Sequence, residues 1–377
     1  MKYAITFTTI NVPLVLNSYY DNLQQYGRLD DVAFVIVGDV NTPATEAHAY
    51  CRIMEKKGLH VTFLDVKAQE RIAESPVYGP VIGMLPWKSD VRRNIGYLYA
   101  AGHVRAETII SIDDDNYAMP DSDYIHWHSV VGIVPPVNTV SSANHWLNNC
   151  YLLDTKYPEL IVPRGFPTER ISGATFDWGH QNTRKVAANG GLWTVAPDVD
   201  AFTNILIAPN VTKMRFPVSQ VVLAPDTWCP LNSQNTAFAR RVLPAFFFWP
   251  QRFMYKGSLV DRYGDIWMGL AVERVAQHMG EVVSYGMPLV AHIRNKHNYA
   301  SDLRAEAGGV EINNLVAQWL TEAPIPRNCD TYGTTYLALM SEVAARAQDT
   351  FPAETGEYFA RMVQWAETWC EACDKVL

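Results

Sequence analysis

Over the first third of the chain, apolar and polar positions fall into a repeating order. Residues 3–10 carry β-branched and aromatic side chains and predict a strand, ended by Asn11, Val12 and Pro13. Residues 14–26 space their apolar members at near-helical intervals. Residues 31–39 form an almost unbroken apolar run, a second and buried strand. A helical pattern follows over 43–57 and a third strand over 59–65. This β-α-β-α-β order implies parallel strands joined by right-handed crossovers. No Gly-x-Gly-x-x-Gly follows the first strand, which disfavours a dinucleotide site of the usual kind.

The next apolar run, 108–112, is short and bounded, so it reads as a buried strand. It breaks into three carboxylates, Asp113, Asp114 and Asp115. The carboxyl end of such a strand is where open α/β sheets bind ligands. In an extended chain Asp113 and Asp115 point to the same side. Two carboxylates held that close repel unless a cation lies between them, and hard oxygen ligands suit Mg²⁺ or Mn²⁺ shared with substrate phosphates. The stretch therefore reads as a metal–diphosphate site of the D-x-D type, or as a polar strand end that caps a loop. A predicted helix over 87–101, capped near Ser89, delivers the chain into it. Arg92 and Arg93 lie near its first turn, where an arginine either forks onto phosphate oxygens or forms a surface pair. Thr9 and Asp39, at the ends of the first two strands, stand where such folds meet a base and ribose.

Beyond this the pattern is less regular. The 121–158 stretch holds His126 and His128, a spacing that can bind metal but is as readily structural. Residues 189–200 bring glycines that allow close backbone approach to a ligand. Residues 231–238 resemble a strand with polar residues at alternate positions. Residues 262–270 lead into a helix running to about 279, with Asp265 at its start as a cap or as a substrate contact. His292, after the apolar strand 284–290, is either a structural histidine or a third metal ligand. Residues 334–349 and 355–376 predict amphipathic helices separated by Pro352, which divides the chain into a catalytic unit, 1–325, and a helical extension, 326–377.

Composition narrows the function classes. Of 377 residues, 48% are hydrophobic and 19% charged, enough for a large core. The net charge of -8 argues against non-specific nucleic-acid binding. No window approaches the ~18 apolar residues of a membrane span, and residues 1–9 are too polar for a signal peptide. The six cysteines are mostly scattered, and Cys370-x-x-Cys373 lies in a helical pattern, so a helix face is favoured over a metal or redox pair. A cytoplasmic, reducing setting is expected.

Six motifs in register carry a family resemblance: Ile112 to Asp115; Arg164-Gly165-Phe166-Pro167; Gly191-Leu192-Trp193 with Pro197-Asp198-Val199-Asp200; Asn235 to Phe238; Arg262 to Trp267; and His292 with Asn298. Together, over about residues 4–320, they resemble the reversibly glycosylated polypeptide family, which includes plant UDP-arabinopyranose mutases. The resemblance implies an α/β fold of the glycosyltransferase-A type: a Rossmann-like mixed sheet that binds a nucleoside diphosphate sugar. It also implies dependence on Mn²⁺ or Mg²⁺ without flavin, and interconversion of the pyranose and furanose forms of a UDP- or dTDP-linked sugar. Arg164 inherits the position of the family's glycosylated arginine, expected to face the anomeric carbon or to bind phosphate.

The chain also departs from the pattern. The family's second arginine falls at Ile171 here, with Arg170 beside it. One carboxylate is missing before Asp265, and the C-terminal helices differ. The residues expected to act are Arg164, Arg170 and Asp265 in catalysis; Thr9, Asp39, Arg92, Arg93 and Asp114 at the nucleotide; Trp193, Asp198, Asp200 and Asn235 at the sugar; and Asp113, Asp115 and His292 at the metal. Transfer of the sugar to a small acceptor, or binding without turnover, are the alternatives. Assembly is left open, a homo-oligomer included.

Overall fold

The computed structural model describes residues 1–294 and 298–377. Its strands, in chain order, are β1 (Tyr3–Thr9), β2 (Val32–Gly38), β3 (His60–Leu64), β4 (Thr108–Ile112), β5 (Asn116–Ala118), β6 (Asn138–Ser141), β7 (Asp177–Gln181), β8 (Val186–Val195), β9 (Gln220–Leu223), β10 (Asn235–Ala239), β11 (Phe253–Tyr255), β12 (Ser258–Val260) and β13 (Val282–His292). The helices used below are α1 (Leu16–Gln25), α2 (Ala44–Lys56), α3 (Arg93–Tyr99), α4 (Tyr124–His128), α5 (Ala201–Leu206), α6 (Gly264–His278), α7 (Tyr299–Glu322), α8 (Tyr332–Thr350) and α9 (Ala353–Val376).

Among the described residues one sheet runs β3-β2-β1-β4-β10-β8-β13-β9-β6-β7, with β5 added against β13. Strands β3, β2, β1 and β4 are parallel, as the βαβαβ pattern requires. Every residue of β2 and β4 is buried, which is why both read as continuous apolar runs. Beyond β4 the sheet turns mixed: β10 is antiparallel to both β4 and β8, and β13 is parallel to β8. It follows that β1, β2, β4, β8 and β13 all end on the same side. This is the mixed α/β sheet expected from the sequence. The antiparallel β10 begins there, with Asn235 opposite Ile112.

One hydrophobic core extends from β1 through the last helix. Helices α8 and α9 are part of it: the Trp369 indole donates to the Leu243 carbonyl (3.2 Å), and the Trp249 indole to the Tyr336 hydroxyl (2.9 Å). Both cysteines of Cys370-x-x-Cys373 are buried in α9 as a helix face. No helix among the described residues is long and apolar enough to cross a membrane.

Four local expectations are corrected. Asp113–Asp115 is not extended but a turn, closed by Asn116 N to Asp113 O (3.2 Å), because β5 must swing across to pair with β13. The helix expected over 87–101 begins as a 3-10 turn, Asp90–Arg92, and the Ser89 side chain does not cap it. Asp265 is not the residue that caps α6; Tyr263 precedes the helix without a side-chain cap. The glycines of β8 are approached by the protein itself: a Cβ at Gly191 would lie 2.3 Å from Asn235 Nδ2.

Candidate functional site

The shared ends of β1, β2, β4, β8 and β13 enclose two adjoining compartments. The larger, about 380 Å³, is lined by Asp113, Asp115, Arg164, Asp198, Asp265 and His292 among others. The smaller, about 370 Å³, is lined by Thr9, Asp39 and Asp113 to Asp115. Lys88, Ser89, Asp90 and Arg93 line both.

At the acid turn each carboxylate has a different environment. Asp113 accepts from Arg93 Nη2 at 2.6 Å. That guanidinium is buried, and its other terminal nitrogen donates to Ser111 Oγ (3.3 Å) and to the oxygens of Ser233 (3.0 Å each). Enclosure pushes the Asp113 carboxyl up to about 6; Arg93 opposes the rise and the Asp115 charge adds to it. Asp114 accepts from Thr9 Oγ1 (2.6 Å) and Asn11 Nδ2 (3.3 Å), while burial still raises it above the usual range. Asp115 Oδ1 lies 3.7 Å from His292 Nε2. Burial works against a charged His292, but Asp115 outweighs it and raises the imidazole. The His292 Nδ1 sits 2.7 Å from the Ala196 carbonyl, so as the donor there it leaves Nε2 as an acceptor toward the turn.

At the other end Arg164 forms a saturated knot. Its Nε and Nη2 donate to the two oxygens of Asp198, both at 3.1 Å, and its Nη1 and Nη2 to the two oxygens of Asp265, at 3.3 and 3.1 Å. Nη1 also donates to the Arg262 carbonyl. All five guanidinium N–H groups are thereby engaged. Asn232 Nδ2 adds a bond to Asp198 (2.8 Å). Burial alone would raise Asp198, but Arg164 holds its carboxyl below the usual range. Backbone geometry fixes the knot: Arg164 N donates to Asp198 O (2.9 Å), and Gly165 has φ +84° with Ile266 where a Cβ would stand. Hence the glycine in Arg-Gly-Phe-Pro. The Arg262 backbone is left-handed (φ 65°), its side chain tied to Glu306 (3.1 Å) and Asp302 (3.3 Å) of α7.

Other expected residues stand apart from the larger compartment. Arg92 is buried on Gln69 rather than facing a ligand. Arg170 is exposed in a separate small pocket with Trp146 and Asn314, because the loop after Pro167 turns outward. Trp193 is buried within β8. Asn235 is buried between Tyr124 (2.9 Å) and His128 (3.2 Å). Asp200 caps α5 through Thr203 N (2.6 Å). Both oxygens of Asp39 accept backbone N–H groups, from Val40 (2.6 Å) and Ser89 (3.1 Å). His128 is a core histidine, lowered to about 3 by burial. No sequence pattern singled out Lys88, Asn232, Ser233 or Glu306. The amide-rich Asn232-Ser233-Gln234 run was the available signal for two of them.

Among the described residues no three His, Cys, Asp or Glu side chains are gathered as a ready-made metal site. The donor chemistry nevertheless fits one: two carboxylates and an imidazole with its second nitrogen already fixed, a set that suits Mn²⁺ or Mg²⁺ when substrate phosphates supply the remaining oxygens.

The sequence profile described as "Reversibly glycosylated polypeptide" matches residues 62–375. Probable UDP-arabinopyranose mutase 2 of Solanum tuberosum is 25% identical over 301 residues, covering 80% of this chain and 75% of that protein. UDP-arabinopyranose mutase 1 of Oryza sativa subsp. japonica has the same identity and coverage. Among solved structures, mannosyltransferase PcManGT from Pyrobaculum calidifontis in complex with GDP-Man and Mn²⁺ is 12% identical with a TM-score of 0.40, covering 100% of this chain and 84% of that one. The profile match includes α8 and most of α9, so these helices lie within the family region, although the sequence resemblance ended near residue 320.

Proposed function

Since the chain belongs to the reversibly glycosylated polypeptide family, we propose that it is a metal-dependent mutase that interconverts the pyranose and furanose forms of a UDP- or dTDP-linked sugar. UDP-arabinopyranose, from the names of its relatives, is the first substrate to try. The observation that carries the reading is that the acid turn and the Arg164 knot face one compartment, continuous with a second beside Thr9 and Asp39. A nucleoside in the smaller compartment would place its diphosphate at Asp113–Asp115 and its sugar toward Asp198 and Asp265.

Ring contraction breaks the C1–O bond to the diphosphate, whose oxygen keeps the electron pair. A different hydroxyl then bonds to C1 and gives up its proton, the former ring oxygen takes a proton as its own bond to C1 breaks, and the diphosphate returns to C1. Asp113, Asp115 and His292 would hold the metal, which when bound offsets the charge gathering on the leaving diphosphate. Arg93 fixes the Asp113 carboxylate from behind. Asp198, kept ionised by Arg164, stabilises the cationic sugar from the opposite side. Asp265 is the group that exchanges a proton with the ring-closing hydroxyl. Arg164 serves both carboxylates. With every N–H engaged and its charge reinforced by two anions, it is a positioning group and not a nucleophile.

The test is proton NMR and chromatography of the purified chain with UDP- and dTDP-sugars and Mn²⁺, without acceptor. A new anomeric species at unchanged mass is the expected result. Nucleotide sugar that binds and stays unchanged would overturn the mutase reading in favour of a transferase or a binding subunit.

A further inference from the structure

Among the described residues two cationic side chains line both compartments, and they differ in what they hold. Arg93 is buried, with its terminal nitrogens held by Asp113, Ser111, Ser233 and Thr8. Lys88 is exposed and makes no ion pair or hydrogen bond with any described residue, although Asp90 lines the same two compartments. Its backbone is left-handed (φ 57°), a conformation that costs energy outside glycine and persists only when the surroundings impose it.

The surroundings are built from Arg92. Its guanidinium lies 3.4 Å over the Trp87 ring and donates to the Leu85 carbonyl (3.1 Å) and to Gln69 Oε1. Gln69 is fixed in turn by donating to the carbonyls of Gly38 (2.7 Å) and Leu64 (2.8 Å) at the ends of β2 and β3. Ser89 N closes the other side on Asp39 Oδ2 (3.1 Å). A surface loop is thus bolted to the sheet on both flanks of one free lysine. The bolts use an arginine that is 1% exposed.

The geometry points to Lys88 as the cation that takes the diphosphate of the bound nucleotide sugar, with Arg92 as the positioning residue that acts through it. An ammonium is a compact point charge with rotatable donors and suits the spread negative charge of a diphosphate. The junction of the two compartments is where the diphosphate lies if the base occupies one and the sugar the other. The assignment rests on the proposed function.

The test is calorimetric titration of the full chain with UDP, dTDP and the matching monophosphates in Mn²⁺, for the wild type, Lys88→Ala, Lys88→Arg, Arg92→Lys and the double variant Lys88→Ala/Arg92→Lys. Lys88 is exposed, so its replacement leaves the core intact. We expect Lys88→Ala to weaken diphosphate binding by about 10-fold and to shrink the affinity gap between diphosphate and monophosphate. Lys88→Arg should keep most of it. Arg92→Lys should weaken the diphosphate by a smaller factor. If Arg92 acts through Lys88, the double variant should bind as Lys88→Ala does; additive losses would overturn the positioning role. An unchanged gap in Lys88→Ala, with the wild type binding, would overturn the Lys88 assignment alone. A wild type that binds neither diphosphate would overturn the functional reading and this assignment with it.

Discussion

The two ends of the larger compartment hold acids in opposite electrostatic states. At the Arg164 knot one guanidinium serves two carboxylates with matched, doubled hydrogen bonds, and Asp198 is held below its usual range. At the acid turn Arg93 reaches Asp113 through a single nitrogen, and burial lifts Asp113 to about 6. The difference lies in how each arginine meets its carboxylate: a doubled grip on Asp198 and a single nitrogen on Asp113. The knot is complete as folded and shapes the site. The turn sets carboxylates beside an imidazole, the donor chemistry that the proposed metal–diphosphate site would use.

Removing charge from the turn should have the largest effect. Asp115→Ala, assayed with saturating Mn²⁺ and nucleotide sugar, should lower turnover by about 10³-fold, the scale of losing a main electrostatic stabiliser. Its thermal midpoint should stay near that of the wild type. Activity within tenfold of wild type would show that the turn is a structural cap.

Removing charge from the knot should instead destabilise the fold. Arg164→Met leaves two buried carboxylates without a counter-ion and should cost about 3–5 kcal/mol in urea titration. Adding Asp198→Asn and Asp265→Asn should return most of that loss without restoring activity. A singly substituted protein as stable as the wild type would mean that the knot is not a charge unit.

A third buried acid gives a smaller contrast. Glu273 accepts from Tyr285 (2.6 Å) and Cys229 N (3.1 Å) with no cation beside it, and burial pushes it up to about 8. It is neutral in the fold and ionised in the unfolded chain above the ordinary range of about 4.3. Unfolding therefore releases a proton. The contribution of Glu273 to stability should be greatest at low pH, fall as pH rises between about 5 and 8, and level off above that. Glu273→Gln should flatten this fall in thermal midpoints measured across that window, and an unchanged slope would refute the assignment.

The least effect is expected at Arg170. It is exposed and outside the compartment, so Arg170→Ala should change stability by less than about 0.5 kcal/mol and leave turnover within twofold. A large loss of turnover would return Arg170 to the role suggested by the missing arginine at Ile171.

Legibility followed sequence distance. The first three strands and first two helices lie within a residue or two of their expected bounds, since each is a local pattern repeated over several turns or pleats. Helix α7 was not anticipated, because its inward face carries polar residues where a helix usually shows apolar ones. Glu306 holds Arg262, and Asn313 joins the Trp267 indole (3.0 Å) to the Gly165 carbonyl (2.8 Å). Trp193 and Asn235 read as sugar contacts but build the core around β8 and β10. A motif shows that a position is constrained without showing by what.

The sequence by itself determined the parallel βαβαβ start, the placement of an acid triplet at the end of a buried strand, and the six ordered motifs of the family. These rest on period, burial and composition, which act over a few residues. Only the tertiary structure decided which residues meet. The antiparallel entry of β10 brings Ser233 to Arg93, the parallel course of β8 and β13 carries Asp198 and His292 to the end where β4 stops, and neighbouring Arg92 and Arg93 are sent to an amide and to a carboxylate. Those outcomes depend on strand order and direction, set by burial of the whole sheet between contacts more than a hundred residues apart.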